Sequence, residues 1–189
     1  MAIKTFTTGE VLTAADTNTY LANSGLVYVA GGALSSTATN FAGCFTSAYR
    51  DYRIVIDSVA LSGAGDIYMQ MLSGTTPDTS SNYFWYQNGI GHNGAAQNSN
   101  GGPTASAYTG ININYGGPVG GAAVLDCFAP TLAVITYFTS TANGYNGVYY
   151  NRTGGSVLNI QAGYDGIRFL TFSAVTMSGN VSIYGYRKA

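Results

Sequence analysis

The stretch Tyr52-Arg53-Ile54-Val55-Ile56-Asp57-Ser58-Val59-Ala60-Leu61 is rich in β-branched residues, is too long for a turn and has no helical period. It is predicted as a β-strand. The segment Asp66-Ile67-Tyr68-Met69-Gln70-Met71-Leu72 then alternates, with Ile67, Met69 and Met71 facing one way and Tyr68 and Gln70 the other. Between them Ser62-Gly63-Ala64-Gly65 carries turn residues, and the pair reads as a hairpin.

The same grammar runs outward from this pair. From Gly25 onward, apolar-polar alternation is broken by clusters of Gly, Asn, Ser and Thr. Further strands are expected at 26–30, 41–45, 82–87, 107–114, 122–128, 133–139, 147–150, 156–161, 166–172 and 180–186. Asn143-Gly144, Asn146-Gly147, Asp165-Gly166 and Ser178-Gly179 mark turns. Many short strands at this spacing mean an all-β sandwich or barrel, and 189 residues suit one such domain plus a short extra segment.

That extra segment lies at the start. Thr5-Phe6-Thr7-Thr8-Gly9-Glu10-Val11-Leu12 reads as extended with a glycine break, and Thr13-Ala14-Ala15-Asp16 as a capping box opening a short helix to about Asn23. A helix this short is marginal alone, so the arm must lean on something. The expected division is an arm over 1–24 and a β domain over 25–189.

Charged residues make up only 8% of the chain against a usual quarter. Gly, Ser, Thr and Asn must therefore supply the solubility. Such a surface suits a protein docked against other subunits, or an adhesive one that offers trypsin-like enzymes few sites. A net charge of −1 gives no basic footprint for nucleic acid. No apolar run approaches the roughly 18–20 residues of a membrane helix, and the start lacks a signal peptide's apolar stretch, so synthesis in a cytoplasm is expected. Cys44 and Cys127 sit in apolar runs and are expected as two buried free thiols.

The inventory for catalysis is thin. The single histidine, His92, has no acidic neighbour in sequence, so it reads as a surface residue. The carboxylates Glu10, Asp16, Asp51, Asp57, Asp66, Asp78, Asp126 and Asp165 are scattered singly; two could meet in space as a glycosidase pair only if the fold brought them together. No HExxH, CxxC or EF-hand pattern appears, and neither a metal nor a cofactor is expected. Gly89, Gly91 and Gly94 match GxGxxG, but no helix follows them. Asn151-Arg152-Thr153 and Asn180-Val181-Ser182 match the glycosylation sequon without a secretory context.

Two stretches are left as contact candidates. The aromatic block Tyr83-Phe84-Trp85-Tyr86 puts Tyr83 and Trp85 on one side of a strand and Phe84 and Tyr86 on the other. One pair is expected in the core; the other faces solvent, fills a subunit seam, stacks on a sugar, or packs in a strand buried on both faces. The Gly/Asn-rich run from Asn88 to about Ala107 reads as a long loop held by a partner. Tyr83, Trp85, His92 and Asn93 are the residues expected to touch a partner or glycan.

Three stretches resemble proteins of tailed phages. Residues 5–21, with Gly9-Glu10-Val11-Leu12-Thr13-Ala14-Ala15-Asp16 at their centre, resemble the leader of phage virion and tail-appendage proteins. Phe45 through Ile56 is similar to the strand entry of small phage jelly-roll domains, and Gly166 through Arg187 to their closing strands. The resemblance covers about a third of the chain. It implies an antiparallel jelly-roll-like β-sandwich, often trimeric, behind an arm that docks through Phe6, Val11, Leu12, Tyr20 and Leu21. The implied role is a non-enzymatic capsid decoration or cement protein on the virion exterior, with the major capsid protein or a tail protein as partner. A tail fibre or fibre tip that binds host glycan is the alternative, and a polysaccharide hydrolase a lesser one.

Overall fold

The computed structural model describes residues 7–11, 13, 25–113, 120–172 and 174–187. The expected helix and the docking residues Phe6, Leu12, Tyr20 and Leu21 lie outside the described residues; Val11 is described and exposed. Thirteen strands follow in chain order: β1 (Leu26–Leu34), β2 (Ala38–Phe41), β3 (Asp51–Leu61), β4 (Gly65–Ser73), β5 (Thr76–Pro77), β6 (Tyr83–Gly91), β7 (Ser99–Thr104), β8 (Ala107–Ile113), β9 (Gly121–Phe128), β10 (Val134–Tyr145), β11 (Tyr149–Ala162), β12 (Gly166–Leu170) and β13 (Met177–Tyr186). The described residues contain no helix.

The pairing resolves into two sheets. The larger runs β1-β13-β3-β9-β10-β11-β6-β7, antiparallel throughout, and the smaller runs β8-β4-β12-β2 with β5 on one side of β4. Among the described residues, one parallel pair, Tyr145 with Ile113, links them. If β5–β7 and β10–β11 are set aside, eight strands remain in two four-stranded sheets, β1-β13-β3-β9 and β2-β12-β4-β8. That is the strand order of a jelly roll, in which two Greek keys interleave and consecutive strands of the frame change sheet at every step except β4 to β8. Of the remaining strands, β5 pairs with β4 in the smaller sheet, and β6, β7, β10 and β11 join each other and extend the larger sheet beyond β9.

This topology corrects the hairpin expected over Ser62–Gly65. β3 pairs with β13 and β9, whereas β4 pairs with β8, β12 and β5. The turn therefore crosses from one sheet to the other, because alternation reports which face of a strand is buried and not which strand lies beside it.

The core lies between the sheets. From the larger come Tyr52, Ile54, Ile56, Leu125, Cys127, Val181 and Ile183; from the smaller come Ile67, Met69, Met71, Ile111, Ile167 and Phe169. Each fully buried aliphatic side chain contributes about 1.5–3 kcal/mol. In β3 the buried parity changes between Ile56 and Val59, because Ser58 takes a left-handed conformation (φ 53°) and the register shifts there. The bulge returns Val59 and Leu61 to the core.

The expected loop over 88–107 is likewise corrected. β6 continues to Gly91, the chain turns, and β7 and β8 follow, so only residues 92–98 and 105–106 lie outside the strands. Arg152 organises the turn. Its Nε–H donates to the Gln97 carbonyl at 2.9 Å, and its guanidinium lies over the Tyr150 ring at 4.3 Å. Cys44 and Cys127 are both buried free thiols, as expected.

Candidate functional site

The inward faces of β6, β10 and β11 are spoken for. Tyr83 is fully buried; its hydroxyl accepts from Met71 N at 2.9 Å and donates to the Asp78 carbonyl. Trp85 packs edge-on against Tyr108 at 5.2 Å and lies close to Gly101, where a Cβ would meet its ring at 2.5 Å. Of the aromatic block, Phe84 and Tyr86 are therefore the outward pair, and Tyr83 is corrected from a contact residue to a core residue. Strand alternation explains both assignments.

Register builds the outer face row by row. Phe128 of β9 faces Tyr137 of β10, Tyr137 faces Val157 of β11, and Val157 faces Phe84 of β6. Phe128, Tyr137 and Phe84 are all exposed. The next row holds Arg53, Asp126, Thr139, Gly155 and Tyr86. Gly155 opposite Tyr86 leaves bare backbone between the rings. A Cβ there would meet the Phe138 carbonyl oxygen at 2.8 Å, so close approach of β10 and β11 requires the glycine. The result is a shallow cleft of about 560 Å³ lined by Phe84, Tyr86, Tyr137, Gly155 and Asn100. Further along β6 and β11 a second cleft, about 450 Å³, is lined by Asn88, Ile90, Asn98, Asn151 and Thr153.

The other two contact candidates are turn residues. His92 Nδ1 accepts from Tyr149 N at 3.2 Å, and Asn93 Oδ1 accepts from Ala95 N at 3.1 Å. Both are exposed. They hold the hairpin ends together beyond the second cleft. Gly89 and Gly91 lie in β6 and Gly94 in the turn, which is no phosphate-binding geometry.

The described carboxylates are engaged one by one, and Asp16 lies outside the described residues. Asp126 accepts both Nε–H and an Nη–H of Arg53, at 2.8 and 2.9 Å, together with the Tyr186 hydroxyl. Arg53 beside it holds its carboxyl below the usual range, and burial beside that carboxylate pushes Tyr186 up to about 12. Burial would raise Asp78, but hydrogen bonds from Ser80 and Tyr164 outweigh it and lower its pKa. Asp51 caps Ala129 N, Asp66 accepts from Asn112, Asp57 from Asn180, Asp165 from Gly74 N and Glu10 from Thr7 N. With their pKa values lowered, Asp78 and Asp126 are poor general acids. No group of three metal-ligating side chains occurs among the described residues, and no helix there is long and apolar enough to cross a membrane.

Sequence reasoning did not single out Tyr137, Gly155 or Val157. Tyr137 lay within an expected strand, but only the pairing of β10 with β11 and β6 shows that it shares a cleft with Phe84 and Tyr86.

No family model matches the chain, and no curated protein matches it as a relative. Among solved structures, a fructofuranosidase variant from Schwanniomyces occidentalis complexed with fructosylnystose is similar over 86% of this chain, at 9% identity and a TM-score of 0.30. This chain spans about a third (34%) of that structure's length.

Proposed function

We propose that this chain is a non-enzymatic structural protein on the exterior of a tailed-phage virion, its arm docking on the particle and its β domain forming a trimeric capsid decoration or cement. The observation that carries this reading is the edge strand β1. Its nine residues hold no charged side chain, it follows the arm directly, and Leu26 and Tyr28 stand exposed on it. Free proteins blunt an edge of this length with charge, proline or a cover. An uncharged edge beside a docking arm fits a subunit whose neighbours supply the cover. The leader resemblance at residues 5–21 supports the particle as the address, and the jelly-roll topology agrees with the domain that resemblance implies.

A tail fibre or fibre tip is the second reading, favoured by the aromatic cleft at the opposite end of the larger sheet. Counted along the sheet, seven strand spacings of about 4.8 Å, roughly 34 Å in all, separate its two edge strands. Copy number in purified particles separates the readings: hundreds per virion for a shell decoration, a few dozen at most for a tail part. Deleting residues 1–23 is expected to abolish particle binding while the β domain stays folded. A truncated protein that still binds, or a full-length protein that sediments as a monomer and never joins particles, overturns the docking reading.

A further inference from the structure

We propose that the outer face of β6 and β11 is a groove for a neutral oligosaccharide. The two clefts lie end to end. Tyr86 faces Gly155 across the strand pair, and the next outward pair is Asn88 with Thr153, followed by Ile90 with Asn151. From Phe84 to Ile90 is six residue steps, about 20 Å at the rise of a strand. Several linked sugar units fit along that length.

The chemistry of the lining changes along the groove. At one end stand the exposed rings of Phe84, Tyr86 and Tyr137 over the bare backbone of Gly155. At the other stand the amides of Asn88, Asn98 and Asn151 and the hydroxyl of Thr153. Rings take the C–H faces of a sugar, and amides and hydroxyls pair with its hydroxyl groups.

Charge selects among occupants. No residue lining either cleft carries a formal charge at neutral pH, and the nearby ion pair of Arg53 and Asp126 is closed on itself. A phosphate, uronate or sulfate would lose its hydration with no cation to meet it. A second copy of the chain is the competing occupant, because aromatic rings are also enriched in protein interfaces, and the oligomeric state of the Tyr86→Ala variant decides between the two.

The groove is composed of inserted strands, at the opposite end of the larger sheet from β1. The assignment rests on the exterior-virion reading only for its biological setting; the binding belongs to the chain itself. The test uses the full-length protein with a panel of hexasaccharides of glucose, mannose, galactose and N-acetylglucosamine, and a uronic-acid hexasaccharide for contrast. Trp85, the chain's single tryptophan, borders the aromatic cleft and reports occupancy by its fluorescence.

At least one neutral hexasaccharide is expected to bind saturably. Tyr86→Ala and Tyr137→Ala each weaken it at least tenfold, and Asn151→Ala weakens the hexasaccharide more than the matching disaccharide. Asn40→Ala, exposed on β2 at the edge of the smaller sheet, leaves binding unchanged. The proposal is overturned if no neutral sugar binds, if only the uronic-acid sugar binds, or if the ring variants bind as the parent does. It is also overturned if Tyr86→Ala breaks an oligomer apart, which makes the face a subunit seam. Particle attachment is scored separately: Tyr86→Ala particles that keep the protein but lose the sugar leave the docking reading standing.

Discussion

Arg152 donates its Nε–H to the carbonyl oxygen of Gln97, tying the turn of one inserted hairpin to the second strand of the other. The same guanidinium donates to Gln97 Oε1 at 3.2 Å and to the Tyr108 hydroxyl, and it is 6% exposed. One cation thus joins β11, β8 and the turn after β6.

Replacing that cation tests the joint. Hydrogen bonds made by charged groups contribute about 1.5–3 kcal/mol each, partly redundantly here. Arg152→Met is expected to cost about 2–3 kcal/mol. For a domain of this size that lowers Tm by roughly 5–10 °C. Hydrogen exchange should speed up first at residues 92–98, while the amides of β3 and β13 keep their protection.

Acid should weaken the fold through two carboxylates. Asp78 and Asp126 both have folded-state pKa values below their ordinary ones. A depressed carboxyl contributes stability that is fully present above its unfolded value, about 3.9, and is lost as pH falls through the folded value. Urea midpoints should therefore drop below about pH 4. In an Asp78→Asn, Asp126→Asn double variant that acid limb flattens, and its curve meets the parent's at low pH. The Arg53–Asp126 share is small, because Arg53 is 38% exposed and solvent screens the pair.

The thiols should be silent in the native protein. Burial pushes Cys44 up to about 12 and Cys127 well above its ordinary value. The thiolate is the reactive form, so a thiol reagent at pH 8 should label neither residue until urea unfolds the chain. Rapid labelling of two thiols under native conditions would contradict the packing around Tyr52 and Leu125.

Gly154 marks a close approach of β11 to β6. A Cβ there would meet the Tyr86 carbonyl oxygen at 2.0 Å, which is backbone and has little room to move. Gly154→Ala is expected to cost about 1–3 kcal/mol by overpacking, and to loosen the β6–β11 pairing. Circular dichroism melts, together with exchange at residues 83–91, would show both effects.

Most strands were legible because burial on one face imposes a period of two, as in Asp66–Leu72, where Ile67, Met69 and Met71 all reach the core, whereas of the strand expected over 41–45 only Phe41 lies in one, β2. Pairing was not legible. Nothing in Ser62-Gly63-Ala64-Gly65 distinguishes a hairpin turn from a crossing between sheets. The run 88–107 resembled a loop because Gly and Asn are poor strand formers, yet Arg152 and register with β11 make most of it β-structure. In the aromatic block, alternation separated two pairs, but the inward side became known only once Tyr83 was found hydrogen-bonded beneath β4. The cleft combines β6, β10 and β11, and no stretch of sequence contains all three.

The segregation of inserted strands from the eight-strand frame bears on how the protein can change. The groove is lined by β6, β7, β10, β11 and their turns, while the arm leads into β1 at the other end of the sheet. Loop-borne insertions tolerate substitution far better than packed strands do. The lining of the clefts can therefore be rewritten ring by ring and amide by amide, with the eight-strand frame inherited unaltered.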